Sequence, residues 1–109
     1  MAIYIKPKGD PQELVQTIVN ATIHGAKRRV PHWILTSENA DFSLAMGDVA
    51  VDRKAFLRPE VTAEGQIALH LYWREGHEPD AAVYAHYHAR FVEMLLTYFH
   101  PQCELISIA

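Results

Sequence analysis

Between Gln66 and Arg74 a large apolar side chain recurs at every second position. Ile67, Leu69, Leu71 and Trp73 share one side, and Ala68, His70, Tyr72 and Arg74 the other. This is the period of two that a strand with one buried face requires. Thr62-Ala63-Glu64-Gly65, just before it, has the composition of a hairpin connection, and Lys54–Val61 reads as the preceding strand. Pro59 cannot donate to a ladder, so it puts that strand at an edge or a bulge. Shorter runs predict strands at Ala2–Ile5, His32–Thr36 and Cys103–Ile108. Phe42 to Val51 supports two solutions. Phe42, Leu44 and Met46 alternate, which makes Gly47-Asp48 a two-residue hairpin turn; a loop with one helical turn fits the same residues.

The period becomes helical twice. Asp10-Pro11-Gln12-Glu13 is a start signal: Asp10 can cap, Pro11 suits the first helical position, and Glu13 can reach back to the cap. Leu14, Val15, Ile18, Val19, Thr22 and Ala26 follow at helical spacing. Gly25 offers an early stop, and Lys27, Arg28 and Arg29 bring cations to the negative end of the dipole. Ser37–Asp41 is a turn cluster.

The second helix is predicted over Pro79–His100. At about 100° per residue, Tyr84, Tyr87, His88, Phe91, Met94, Leu95 and Tyr98 make one broad face. Ala85, Ala89, Val92, Leu96 and Phe99 lie beside it. Only His86, Arg90, Glu93 and Thr97 form a polar stripe. The apolar arc is wider than a surface helix needs, so the helix must be covered from more than one side. Either it lies in a groove between the sheet, the first helix and a loop, or part of it meets a second copy. Symmetric dimers are the commonest oligomers, and Tyr87, Phe91, Met94 and Tyr98 are the expected interface.

The order β-α-β-(β)-β-β-α-β predicts an α+β domain over residues 1–109. It is a two-layer sandwich with a mostly antiparallel sheet of about 4–6 strands and two helices packed on one face. At 109 residues, half of them hydrophobic, one domain with its own core is expected. A single cysteine, Cys103, allows no internal disulfide and suits a reducing cytoplasm, where it serves as a small buried hydrophobe. No charged start followed by an apolar run marks a secretory signal, and no stretch approaches the roughly 20 apolar residues of a spanning helix. The expected location is cytoplasmic, away from membranes. A net charge of −3 disfavours nucleic acid. Binding through Arg28, Arg29, Arg53, Lys54 and Arg58 is the weakest of the readings.

Candidate chemistry is sparse. His86 and His88 diverge by about 200° on a helix and cannot share a metal. Tyr84 and His88 have ligand spacing, but a helical zinc pair needs two histidines there. His70, His77, Glu78 and Asp80 are close in sequence without convergent spacing; Asp80 fits better as a favourable charge in the first helical turn. No metal or cofactor is expected. Nucleophile elbow, phosphate-cradling loop and dinucleotide fingerprint are all missing, so no catalytic residue is assigned.

The polar side of the best strand is the remaining candidate. His70, Tyr72 and Arg74, with Arg58 from the neighbouring strand, could hold an anion, a planar ligand or, less in keeping with the charge, single-stranded RNA. His88 joins them if the site lies at a dimer seam. Against this, period-two polarity is what any half-buried strand shows. The expected function is therefore a small non-enzymatic protein-interaction module acting as a homodimer or on another protein. The alternative is a small-molecule-binding or enzymatic domain using Arg58, His70, Tyr72, Arg74 and His88.

Overall fold

Ile3 and Ile5, the apolar pair of the first short run, are completely buried because their strand lies between two others. The computed structural model describes residues 1–23, 30–36 and 40–109. In chain order these form β1 (Ile3–Pro7), α1 (Pro11–Ile23), β2 (Trp33–Leu35), β3 (Phe42–Leu44), β4 (Ala55–Val61), β5 (Ile67–Trp73), α2 (Ala81–Tyr98) and β6 (Cys103–Ile108). One antiparallel sheet runs β2-β3-β4-β5-β1-β6. This is the α+β architecture and the element order that the periodicity predicts. The expectations for Gly25, Lys27, Arg28, Arg29 and the turn at 37–39 lie outside the described residues.

Local chemistry sets the element ends. The Asp10 carboxylate accepts from the Gln12 N–H at 2.8 Å, opening α1. Asp80 is the N-cap of α2, accepting from Ala82 at 2.8 Å and Val83 at 3.1 Å. It therefore stands just before the helix rather than in its first turn, and satisfies two donors that the helix itself leaves free. The β4–β5 hairpin closes at Gly65, whose positive φ of 79° suits glycine; its N–H meets the Thr62 carbonyl at 3.0 Å. Pro59 lies within β4 opposite Leu69. Strand β3 pairs with β4 only at Phe42–Leu57, so the side of β4 next to Pro59 is an edge, as a proline requires.

No hairpin forms at Gly47-Asp48. Asp52 explains why: its carboxylate accepts from the N–H groups of Met46, Gly47 and Asp48 at 2.8, 2.7 and 3.1 Å. The chain turns around that anion, and Asp48 then starts a single helical turn, its carbonyl accepting from Asp52 at 2.9 Å. The loop is fastened to α2 through Tyr87, whose hydroxyl donates to the buried Val51 carbonyl at 2.7 Å.

Both helices cover the sheet face of Ile3, Ile5, Leu57, Ile67 and Leu69, and share one core with it. Leu14 and Ile18 come from α1; Val83, Tyr87, Phe91, Met94 and Leu95 come from α2. Trp33 meets the edges of Tyr87 and Phe91 at 5.9 and 5.1 Å, and Phe42 packs on Phe91 at 5.4 Å. Such aromatic pairs add to the burial energy of each ring. The expected interface must be corrected here. Tyr87, Phe91 and Met94 are core residues of one protomer, at most 4% exposed. Of the four only Tyr98 is half-buried. Apart from the buried Phe99, the second apolar sector of α2 behaves differently: Ala85, Ala89 and Leu96 are exposed and Val92 is half-buried.

Candidate functional site

Cross-strand register decides what the open sheet face can do. Arg58 stands opposite His70 and Phe56 opposite Tyr72. Tyr4, on β1, meets the edge of His70 at 6.5 Å. Arg58, His70 and Tyr72 are thus neighbours, as the alternation implies. Arg74 lies just past the end of β5, joined through its N–H to the Lys54 carbonyl at 3.1 Å.

The guanidinium of Arg58 is already engaged. Its Nε and Nη2 donate to the two carboxylate oxygens of Asp41 at 2.7 and 2.9 Å. Its plane lies over Phe56 and Tyr72, 5.3 and 5.2 Å from their ring centres, while those rings stack on each other at 5.6 Å. The hydrogen bond to Asp41 pushes the Arg58 pKa up against a smaller opposing effect of burial, so the cation is fixed. An arginine held by a bidentate carboxylate and an aromatic stack is a clamp between the Asp41 segment and β4–β5. Asp41 already neutralises the charge that an anion would seek. The sequence could not show this pair, because Asp41 reads as a turn residue until the β3–β4 register is known.

His88 does not join this face. It points to the helix-covered side and is 2% exposed. Its Nδ1 lies 2.7 Å from the Tyr84 carbonyl. A carbonyl only accepts, so Nδ1 carries the proton. The ring packs on Tyr84 at 4.4 Å, and Nε2 is buried with no hydrogen-bond partner among the described residues. His86 is half-buried near Arg90, whose Nε is 3.4 Å from its Nε2. Among the described residues no three His, Cys, Asp or Glu side chains converge, and no helix is long and apolar enough to cross a membrane. Burial pushes the Cys103 thiol up, partly offset by Lys8, which makes it a poorer nucleophile at neutral pH.

A cleft of about 120 Å³ lies between the β2 end of the sheet and α2, with Trp33, Leu44 and Met94 among its apolar lining and Arg90 and Glu93 among its polar groups. Ligand pockets usually exceed about 300 Å³. Arg90 and Glu93 are paired with each other at 3.2 Å, and nothing in the cleft sets a nucleophile beside a base.

The opposite end of the sheet is the least finished part of the surface. Strand β6 pairs with β1 and has no strand on its other side among the described residues. Leu105 and Ile108 on it are 58% and 45% exposed, and Leu96 on α2 is 52% exposed. A recess of about 210 Å³ beside the strand is lined by Leu96, His100, Cys103, Glu104, Leu105 and Ile106. The sequence contains this signal as the apolar run Leu105-Ile106-Ser107-Ile108, but only sheet order reveals that it is an edge. Comparisons with protein families, with curated proteins and with solved structures each return no match.

Proposed function

We propose that this protein is a non-enzymatic interaction module that works as a homodimer in a reducing compartment, the cytoplasm. One observation carries the reading: three large apolar side chains stand half exposed at a sheet edge with no paired strand among the described residues, Ile108 on the helix-covered side, Leu105 on the open side and Leu96 on α2. Soluble proteins blunt such edges with charge, proline or a covering segment, so an open edge flanked by exposed apolar side chains is a place for another chain to pair. The small-ligand alternative has less behind it. Its central residue, Arg58, is occupied by Asp41 and two rings, and His88 lies on the other side of the sheet. A single buried thiol and no disulfide suit the compartment. Sedimentation or light scattering at tens of micromolar tests the reading. The expected mass is twice the 12.4 kDa of one chain. A mass of one chain at up to about 100 µM, equivalent to a Kd too weak for a working dimer, would sink it.

A further inference from the structure

We infer that two copies join edge to edge through β6, so that their six-stranded sheets become one continuous sheet with α2 packed on α2 above it. This rests on the homodimer reading and specifies its surface. The other edge is a poor candidate, since β2 has three residues against six in β6.

The hydrogen-bond phase of β6 follows from its inner side. Ala2 and Ala109 exchange two bonds, at 2.7 and 3.0 Å. Opposed pairs alternate between bonded and non-bonded in an antiparallel ladder. The register Tyr4–Ser107 and Lys6–Leu105 therefore turns the peptide groups of Ser107 and Leu105 towards β1. Those of Ile106 and Ile108 point away from the sheet. The register shift beside Lys6 and Pro7, with the Lys6–Glu104 ion pair at 3.6 Å, blunts the Glu104 end. The stretch from Leu105 to Ile108 has no such protection.

A twofold axis brings two β6 strands together antiparallel, and side-chain character selects the register. Centring on Ile106 puts the apolar Ile108 opposite the charged Glu104. Centring on Ser107 puts Ile106 opposite the partner's Ile108, and the reverse, with two main-chain bonds at each pair. Small Ser107 then meets its own copy in the narrow, non-bonded position. The second arrangement covers Ile108 with an apolar neighbour and leaves the bulge at the rim.

Interface size brings in the helix. A stable contact removes about 800 Å² per partner, whereas four residues of strand span only about 13 Å. The body of helix α2 packs on the β2–β3 end through Trp33 and Phe42, but residues near both of its ends reach this edge. Tyr84, in its first turns, bonds through its hydroxyl to the Met1 carbonyl at 3.0 Å, next to the Ala2–Ala109 pair. Leu96, in its last turns, lines the recess beside Cys103–Ile106. Ala85, Ala89 and Val92 fall on the same line of the helix as Leu96. A second copy paired at β6 brings its own apolar line against this one, which the sheet leaves uncovered.

Two substitutions test the arrangement. Ile108→Pro removes an outward N–H from both bonded pairs and leaves the β1 ladder intact, because the Ile108 N–H is not used there. The expected dimer Kd rises about tenfold or more, with wild-type circular dichroism. Ser107→Cys, made in a Cys103→Ser background, is expected to give a covalent dimer under mild oxidation, since non-bonded antiparallel pairs bring Cβ atoms within disulfide reach. Ala63→Cys at the distant hairpin is the control and stays monomeric on denaturing gels. A wild type that is monomeric overturns the homodimer reading and this inference together. A wild-type dimer with no Ser107→Cys cross-link above the control, or with an undiminished affinity in folded Ile108→Pro, overturns the edge pairing alone. If Ile108→Pro does not fold, the cross-link decides.

Discussion

Asp52 shows how one side chain can choose between two folds of a segment. Burial pushes its carboxyl up, but the N–H groups of Met46, Gly47 and Asp48 together with Arg53 bring it below its ordinary value of 3.8. A depressed folded pKa means that Asp52 contributes its stability above about pH 4 and loses it as pH falls through the folded value. Acid titration of the urea midpoint is expected to show this loss below pH 4 in the wild type, and a smaller one in Asp52→Asn. An equal acid slope in both would contradict the role. At neutral pH the same substitution is expected to cost about 1 kcal/mol, as for a lost helix cap. His88 is the second informative residue. Its Nδ1–H bond to Tyr84 and its buried Nε2, without a partner among the described residues, make it a core side chain with one unused acceptor. Removing an unsatisfied polar atom offsets losing a hydrogen bond, so His88→Phe is expected to lie within about 1 kcal/mol of wild type in urea unfolding. A loss several times larger would mean that Nε2 has a partner.

Helix α2 is the element through which most of the molecule is connected. Tyr87 joins it to the 45–54 loop through the Val51 carbonyl and lies 3.4 Å from Ser43 Oγ. Tyr87→Phe leaves that carbonyl with only the long 3.5 Å bond from the Lys54 N–H, and a loss of about 1 kcal/mol or more is expected in urea unfolding. An unchanged midpoint would show that water replaces the bond at no cost. Met94→Arg carries a different expectation from that of an interface residue: at 4% exposure the change puts a charge into the core side of the helix, and a large loss of stability in urea unfolding is expected. These contrasts mark what the sequence could and could not express. Alternation and start signals located β5, α2, β6 and the start of α1 to within about two residues, because period and capping are local properties. The breadth of the apolar arc on α2 was also legible. Which sector of it faces the sheet was not, because the helix can rotate until Tyr87 finds Val51 and Phe91 finds Trp33. The same limit hid Asp41 behind Arg58 and the anion-centred loop behind an apparent hairpin at Gly47-Asp48.

At the scale of the whole molecule, the sheet has a well-covered side, a clamped open side, and two unlike ends. The open face is held by Asp41–Arg58–Phe56–Tyr72, and the β2 end is short. The β6 end carries the exposed apolar residues and the outward peptide groups of Ile106 and Ile108. The proposed dimer removes both features with one symmetry operation, and it extends the sheet without requiring any change in the protomer. Residue-resolved amide exchange measured as a function of protein concentration tests this most directly. Leu105 and Ser107, whose N–H groups face β1, should be protected at every concentration. Ile106 and Ile108 should exchange freely when dilute and become protected as the dimer fills. Fast exchange at Ile106 and Ile108 under conditions where the mass is that of a dimer would contradict the account.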